Sequence, residues 1–218
     1  DRALSYIENT DRFDTLPICL VGHSWGGYAV AAVLNREHPR VKAVVSFSGY
    51  NDGMEMFTEQ GVLSVGNAYY LLYPQFWVIQ KELFGDTMNK TAVDGINTSD
   101  LPVMVVHGKD DDTVSASKTS IYAHRGEITN PHVEIVYQDG DYGTGHINVF
   151  YSREREDYVY QCKSALETFL EGKSWSSDDE LIGLKLQWAE EFGLDKFKLY
   201  ELDPALMVRI DNMFDGVL

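Results

Sequence analysis

Four short apolar runs punctuate the chain, at residues 18–21, 41–47, 103–106 and 133–137. Each is too short for a packed helix and rich in valine or isoleucine, which is the pattern of strands buried on both faces. Between and around them the apolar residues follow a helical rhythm. Residues 2–13 carry Leu4, Ile7 and Phe13 among polar positions and predict a helix ending near Asp14. Residues 28–35 are apolar and alanine-rich and stop before Pro39, residues 115–127 predict a third helix, and residues 148–171 a long one with Phe150, Tyr158, Cys162, Ala165 and Phe169 on one side. Strands alternating with helices predict an α/β fold, with a parallel sheet flanked by helices and right-handed crossovers.

Two segments break this alternation. Residues 53–100 are looser, polar and glycine-containing around one aromatic stretch. After Gly172 a capping box, Ser177-x-x-Glu180, precedes Leu181, Leu184, Trp188 and Phe192, and Asp203-Pro204 opens a last segment with Met207, Ile210 and Phe214 on one side. Residues 1–172 are therefore read as the main domain, and residues 173–218 as a two-helix appendage packed on it by its apolar face.

Composition narrows the function classes. The 218 residues carry 18 Lys and Arg against 34 Asp and Glu, a formal charge of −16. Such a surface repels phosphate backbones and anionic headgroups, so neither nucleic acid nor a membrane is the expected partner. The longest mostly apolar run, residues 69–79, is interrupted by Pro74 and Gln75 and falls short of the roughly 20 residues that span a bilayer. Cys19 and Cys162 are the only cysteines, and both sit in apolar-periodic segments that favour packed, reduced thiols. That suits the cytoplasm, although the chain starts at Asp1 and a processed leader fits the sequence equally.

The chemistry concentrates at three turns. Gly22-His23-Ser24-Trp25-Gly26-Gly27 places Gly-x-Ser-x-Gly between a strand and a helix. A chain reversing that sharply holds its central residue in a strained conformation and needs small residues where backbones nearly collide, a demand met by Gly22, Gly26 and Gly27. Ser24 then stands at a helix N-terminus, where the backbone N–H of Trp25 can stabilise a developing oxyanion. A serine hydroxyl needs a base, and the base needs a carboxylate. The third strand runs into His107-Gly108-Lys109-Asp110-Asp111-Asp112-Thr113-Val114, and the fourth is followed by Gly140-Asp141-Tyr142-Gly143-Thr144-Gly145-His146. The order is Ser, Asp, His.

In these three motifs residues 1–172 resemble the α/β-hydrolase superfamily, specifically small serine hydrolases of the bacterial esterase, lipase and dienelactone-hydrolase kind. The resemblance implies a catalytic triad of Ser24, Asp111 and His146. Its His-Gly-x-x-Asp-x-x-Val pattern falls on His107, Gly108, Asp111 and Val114, with Asp112 the alternative acid one residue on. It further implies an acyl-enzyme mechanism on a small ester, no cofactor and no metal, and a helical lid at residues 53–100. Complete members of that superfamily have several strands before the nucleophile strand, one of whose loops supplies the second oxyanion donor, so the chain is expected to be part of a longer enzyme. Residues 18–21 should then form an exposed strand edge able to pair with a second copy.

Tyr69, Tyr73 and Trp77 are candidates for lining an acyl or aryl pocket, against a plain core role. The remaining histidines, His23, His38, His107, His124 and His132, read as surface or structural residues. Two other functions remain in competition with the carboxylesterase: a serine peptidase of prolyl-oligopeptidase type, and a non-catalytic binding protein that keeps the fold.

Overall fold

The computed structural model describes residues 1–10 and 16–217. Two compact units divide the chain, Asp1–Val149 with Val208–Leu218, and Phe150–Met207.

The first unit is built on four parallel strands, β1 (Ile18–His23), β2 (Val41–Phe47), β3 (Val103–Gly108) and β4 (Val133–Gln138), in the spatial order β1-β2-β3-β4. All four apolar runs are therefore strands, extended by one to two polar or glycine residues at the ends of β1, β3 and β4. Those extra residues, Gly22, His23, His107, Gly108 and Gln138, sit at the carboxyl edge, where open parallel sheets place their ligands. Every residue of β3 is buried, as are six of the seven of β2, whereas β1 and β4 are mostly half-buried and flank the sheet. Among the described residues β1 pairs with β2 alone, and Val21 is 54% exposed.

Helix α1 (Arg2–Glu8) precedes β1; the rest of the helix predicted for residues 2–13 lies partly outside the described residues. Helix α2 (Trp25–Ala32) connects β1 to β2 and tightens into a 3-10 turn at Val33–Asn35. Leu4, Ala31, Leu34, Val41, Val44, Val103, Val105 and Ile121 join Ala92, Val93 and Ile96 in one buried cluster. The latter three come from α5 (Ala92–Thr98), which starts on a complete capping box between Thr91 and Asp94.

The insertion at residues 53–100 is helical: α3 (Gly53–Val65), α4 (Tyr73–Phe84), α5 and short 3-10 segments. Asp52 caps α3 by accepting the N–H groups of Met54 and Glu55 at 2.8 and 2.9 Å. No residue of α4 is buried.

The helix expected at residues 115–127 does not form. Only Arg125–Glu127 is helical, as a single 3-10 turn. The backbone is drawn instead into antiparallel contact with the loop after β2: Tyr50 bridges Ser120, Asn51 N–H donates to Thr119 at 2.7 Å and Ile121 N–H to Gly49 at 2.9 Å. Serine hydroxyls compete further, Ser115 accepting from Ser117 N–H and Ser120 from Ala123 N–H. Side chains of α3 hold the segment from above, Gln60 donating to the Thr113 carbonyl at 2.8 Å and Glu59 accepting from the Thr119 hydroxyl at 2.5 Å.

In the second unit α6 (Arg153–Leu170) begins at Ser152, which caps it through the N–H of Arg155, so residues 148–152 lead into the helix and are not part of it. Helices α7 (Asp178–Phe192) and α8 (Lys196–Leu199) pack on α6: Asp195 N–H donates to the Tyr158 hydroxyl at 2.7 Å, Arg155 donates to the Leu199 carbonyl, and Phe192 lies against the Tyr158 ring with centroids 6.4 Å apart. Of the predicted box, Ser177 does accept from Glu180 N–H, but the Glu180 carboxylate accepts from Ser176. Helix α9 (Pro204–Asp215) starts on Asp203 as expected. The sequence pattern places a boundary after Gly172; the contacts of α6 place it with α7 and α8. No helix among the described residues is long and apolar enough to cross a membrane.

Candidate active site

Strand β1 runs directly into α2, and the residue at the junction is Ser24. Its φ of 58° and ψ of −118° lie where non-glycine residues are rarely found, a strain sustained only when the surroundings over-determine it. Here Ser24 N–H donates to the Phe47 carbonyl at the end of β2 at 2.8 Å, and its carbonyl accepts from Tyr28 N–H in α2. The reversal brings the end of β1 against the start of α2 so closely that a Cβ on Gly22 would lie 2.1 Å from the Gly26 carbonyl oxygen. A Cβ on Gly27 would meet Phe47 O at 2.8 Å, whereas Gly26 faces open space. Two of the three glycines are thus required by close approach. The third contributes its backbone alone. Trp25 is the first residue of α2, a position whose N–H has no acceptor within the helix.

The carboxyl ends of β3 and β4 deliver the other two side chains. His146 Nε2 lies 2.9 Å from Ser24 Oγ, and His146 Nδ1 lies 3.0 and 2.9 Å from the two carboxylate oxygens of Asp111. A carboxylate only accepts, so Nδ1 carries the proton and Nε2 presents its lone pair to the serine hydroxyl. The Asp111 carboxylate is fully buried. Its Oδ1 also accepts from Thr113 N–H at 3.0 Å and Val114 N–H at 2.7 Å, so the turn after β3 is folded around it. Asp112, the alternative acid, is exposed and accepts from the Thr113 hydroxyl. Burial pushes the Asp111 carboxyl up, but the hydrogen bonds from His146 and Val114 outweigh burial and hold it below the ordinary range.

Behind Asp111 lies His107, fully buried, its Nε2 donating to the Val114 carbonyl at 3.0 Å and standing 3.6 Å from Asp111 Oδ2. Burial lowers its basicity more than the Asp111 charge raises it. The native state therefore holds His107 neutral while the unfolded chain takes up a proton below about pH 6.5, so stability is lost as pH falls from that value. Asp111 has the same sign in a lower window, its contribution being present above about pH 3.9 and lost as pH falls through its depressed native value. Urea unfolding of His107→Gln, which keeps a donor for Val114, should show a flatter pH dependence just below about pH 6.5 than the wild type. Identical slopes would contradict the neutral buried histidine.

The pocket candidates separate. Tyr69 is buried inside the insertion, stacked on Phe76 and pressed against Gly61. Trp77 is exposed beneath Lys81. Tyr73 lines a cavity of about 720 Å³ shared with Asp52, Glu55, Glu59 and Val62. The cavity next to the Ser24 turn is another one, about 420 Å³, lined by Trp25, Tyr28, Tyr50, Phe57 and Met88 among others. Trp25 packs edge-on against Tyr50 and Phe57, and Tyr28 stacks on Tyr50 at 4.6 Å. Tyr28 was legible only as a helix residue, and Tyr50 and Phe57 carried no local signal, because their convergence depends on how α2, the β2 loop and α3 meet. His23 is a further residue whose place the sequence did not reveal: its Nε2 lies 2.8 Å from the His146 carbonyl. Among the described residues no group of three or more His, Cys, Asp or Glu side chains is arranged to hold a metal ion.

The sequence model of the prolyl oligopeptidase family matches residues 2–164. No curated protein matches the chain. Acetyl xylan esterase 1 from Thermoanaerobacterium sp. is similar at 18% identity and a TM-score of 0.46, the match covering 73% of this chain and 49% of that one. The Pyrococcus furiosus esterase Pf2001 is similar at 17% identity and a TM-score of 0.42, covering 77% and 58%. The Pyrococcus horikoshii acylaminoacyl peptidase is similar at 17% identity and a TM-score of 0.46, covering 82% and 28%. The chain thus spans about half the length of the first of these proteins and less than a third of the last. Running from α1 through the turn at Ser24 and into α6, the family match shows that this chain belongs to the prolyl oligopeptidase family, within the α/β-hydrolase superfamily.

Proposed function

We propose that the protein hydrolyses carboxylic esters through an acyl-enzyme formed on Ser24. His146 removes the hydroxyl proton as Oγ attacks the acyl carbon and returns it to the leaving alcohol; the sequence then repeats with water. Asp111 keeps the imidazole in the productive tautomer and stabilises the imidazolium that forms. The N–H of Trp25 donates to the oxyanion. The observation that carries this reading is the continuous bonding from Ser24 Oγ through His146 to the buried Asp111 carboxylate. The aromatic cavity beside Trp25 suits a neutral, moderately apolar acyl or aryl group.

Membership of the prolyl oligopeptidase family favours a second reading, hydrolysis of peptide amides by the same residues. A fluorophosphonate probe followed by peptide mapping tests both against a non-catalytic role. Labelling confined to Ser24 is expected, together with faster turnover of p-nitrophenyl esters than of matched p-nitroanilides. Faster anilide turnover would select the peptidase, and an unlabelled folded protein would select the binding role.

Among the described residues β1 pairs on one side only, with β2, which supports one further expectation, pairing with a second copy of the chain. Light scattering of residues 1–218 should show concentration-dependent association that Val21→Lys reduces. A monodisperse monomer would contradict it. Both cysteines are free thiols, which suits a reducing compartment such as the cytoplasm.

A further inference from the structure

We infer that His23, the variable residue of the Gly-x-Ser-x-Gly turn, is a positioning residue for the base: a strut that fixes the His146 peptide over Ser24. The inference rests on the proposed roles of Ser24 and His146. His146 comes from a loop containing Gly140, Gly143 and Gly145, with Gly143 at a φ of 66°. Such a loop has little stiffness of its own. Asp110 N–H anchors it at the Thr144 carbonyl at 2.8 Å, and Gly145 N–H bonds the Asn148 side chain at 2.7 Å. Both contacts act on neighbours of the base. The bond from His23 Nε2 to the His146 carbonyl, at 2.8 Å, acts on the base's own peptide.

The root of this strut is rigid. His23 is the last residue of β1, in register with Phe47 of β2, and Ser24 follows it directly. Nucleophile and base are thereby referred to the same two residues of the sheet edge. A carbonyl only accepts, so the bond requires a hydrogen on His23 Nε2. The two imidazoles also lie side by side, their centroids 4.9 Å apart at 44°. Losing the strut leaves Ser24, Asp111 and the pocket in place but lets the His146 backbone drift, which lengthens the 2.9 Å contact between Nε2 and Oγ. The cost falls on proton transfer and not on substrate binding.

The donor's position makes the test specific. Glutamine places its amide nitrogen as many bonds from Cα as Nε2 of histidine, whereas asparagine places it one bond short. In the full-length enzyme, with p-nitrophenyl acetate, His23→Asn should lower kcat about 10- to 100-fold while KM changes less than about 2-fold. His23→Gln should recover turnover to within about 3-fold of wild type, at the same thermal midpoint as the asparagine variant. The rate of fluorophosphonate labelling at Ser24 should fall by the same factor as kcat. Equal activity of the two variants, whether high or low, beside an inactive Ser24→Ala would overturn the strut alone. Undiminished turnover in Ser24→Ala would overturn the assignment of the nucleophile and the strut with it.

Discussion

Ser24→Ala is expected to lower ester turnover about 10⁶-fold, His146→Ala by a similar factor, and the double variant little more than either alone, because the two groups act in one step. Asp111→Asn should cost about 10⁴-fold, by a different route. Oδ1 of Asp111 is committed to the N–H groups of Thr113 and Val114, and an asparagine oxygen can keep those bonds and the turn with them. Its amide nitrogen then faces His146 Nδ1, where the carboxylate stood. Two donors cannot face each other, so the imidazole proton moves to Nε2 and its lone pair no longer meets Ser24. The variant should therefore fold and fail to turn over, as steady-state rates and circular dichroism will report. Asp112→Asn should be near wild type, since that side chain is exposed and bonded to Thr113. A reversal of the two aspartate effects would move the acid by one residue.

Gly22→Ala should be among the most damaging substitutions for folding. The added Cβ would meet Gly26 O at 2.1 Å and Gly26 C at 2.3 Å, and all the colliding atoms are backbone at the first turn of α2. Neither side can yield without moving the strand end or the helix that sets the geometry of Ser24. A loss of about 3 kcal/mol or more is expected, at the upper end of overpacking, with labelling at Ser24 abolished in whatever fraction folds. Gly26→Ala, four residues on, is the control. Its Cβ enters open space, so relief of glycine's poor helix propensity should raise stability by about 0.5–1 kcal/mol. Denaturant unfolding of the pair measures both. Equal effects at positions 22 and 26 would mean that the close approach is not what the glycines serve.

The strands were legible because a strand covered on both faces must be apolar over its whole length, and nothing beyond residues 41–47 or 103–106 is needed to see it. The turn at Ser24 was legible for a related reason: its tightest approach, Gly22 against Gly26, lies within five residues, although Gly27 answers to Phe47 on β2. An acidic turn after the third strand was legible too, but Asp111 was singled out from Asp110 and Asp112 by the resemblance alone; the N–H groups it accepts come from two and three residues on. Helix starts at Ser177 and Asp203 are local in the same sense.

Interactions that join distant parts of the chain left no such trace. Residues 115–127 have a helical pattern, yet the backbone pairs with Gly49–Asn51, which lie about seventy residues earlier and outcompete an isolated helix. The role of His23 depends on a carbonyl 123 residues away, and that of Tyr50 on the rings that α2 and α3 bring to it. The order Ser, Asp, His was written in the sequence; the 2.9 Å contacts that bring these residues together arise because β1, β3 and β4 end at one edge of the sheet. Local sterics and periodicity act within a turn or two and so belong to the sequence itself, whereas the partners of a side chain at a strand end are chosen by sheet order, which only the folded chain decides.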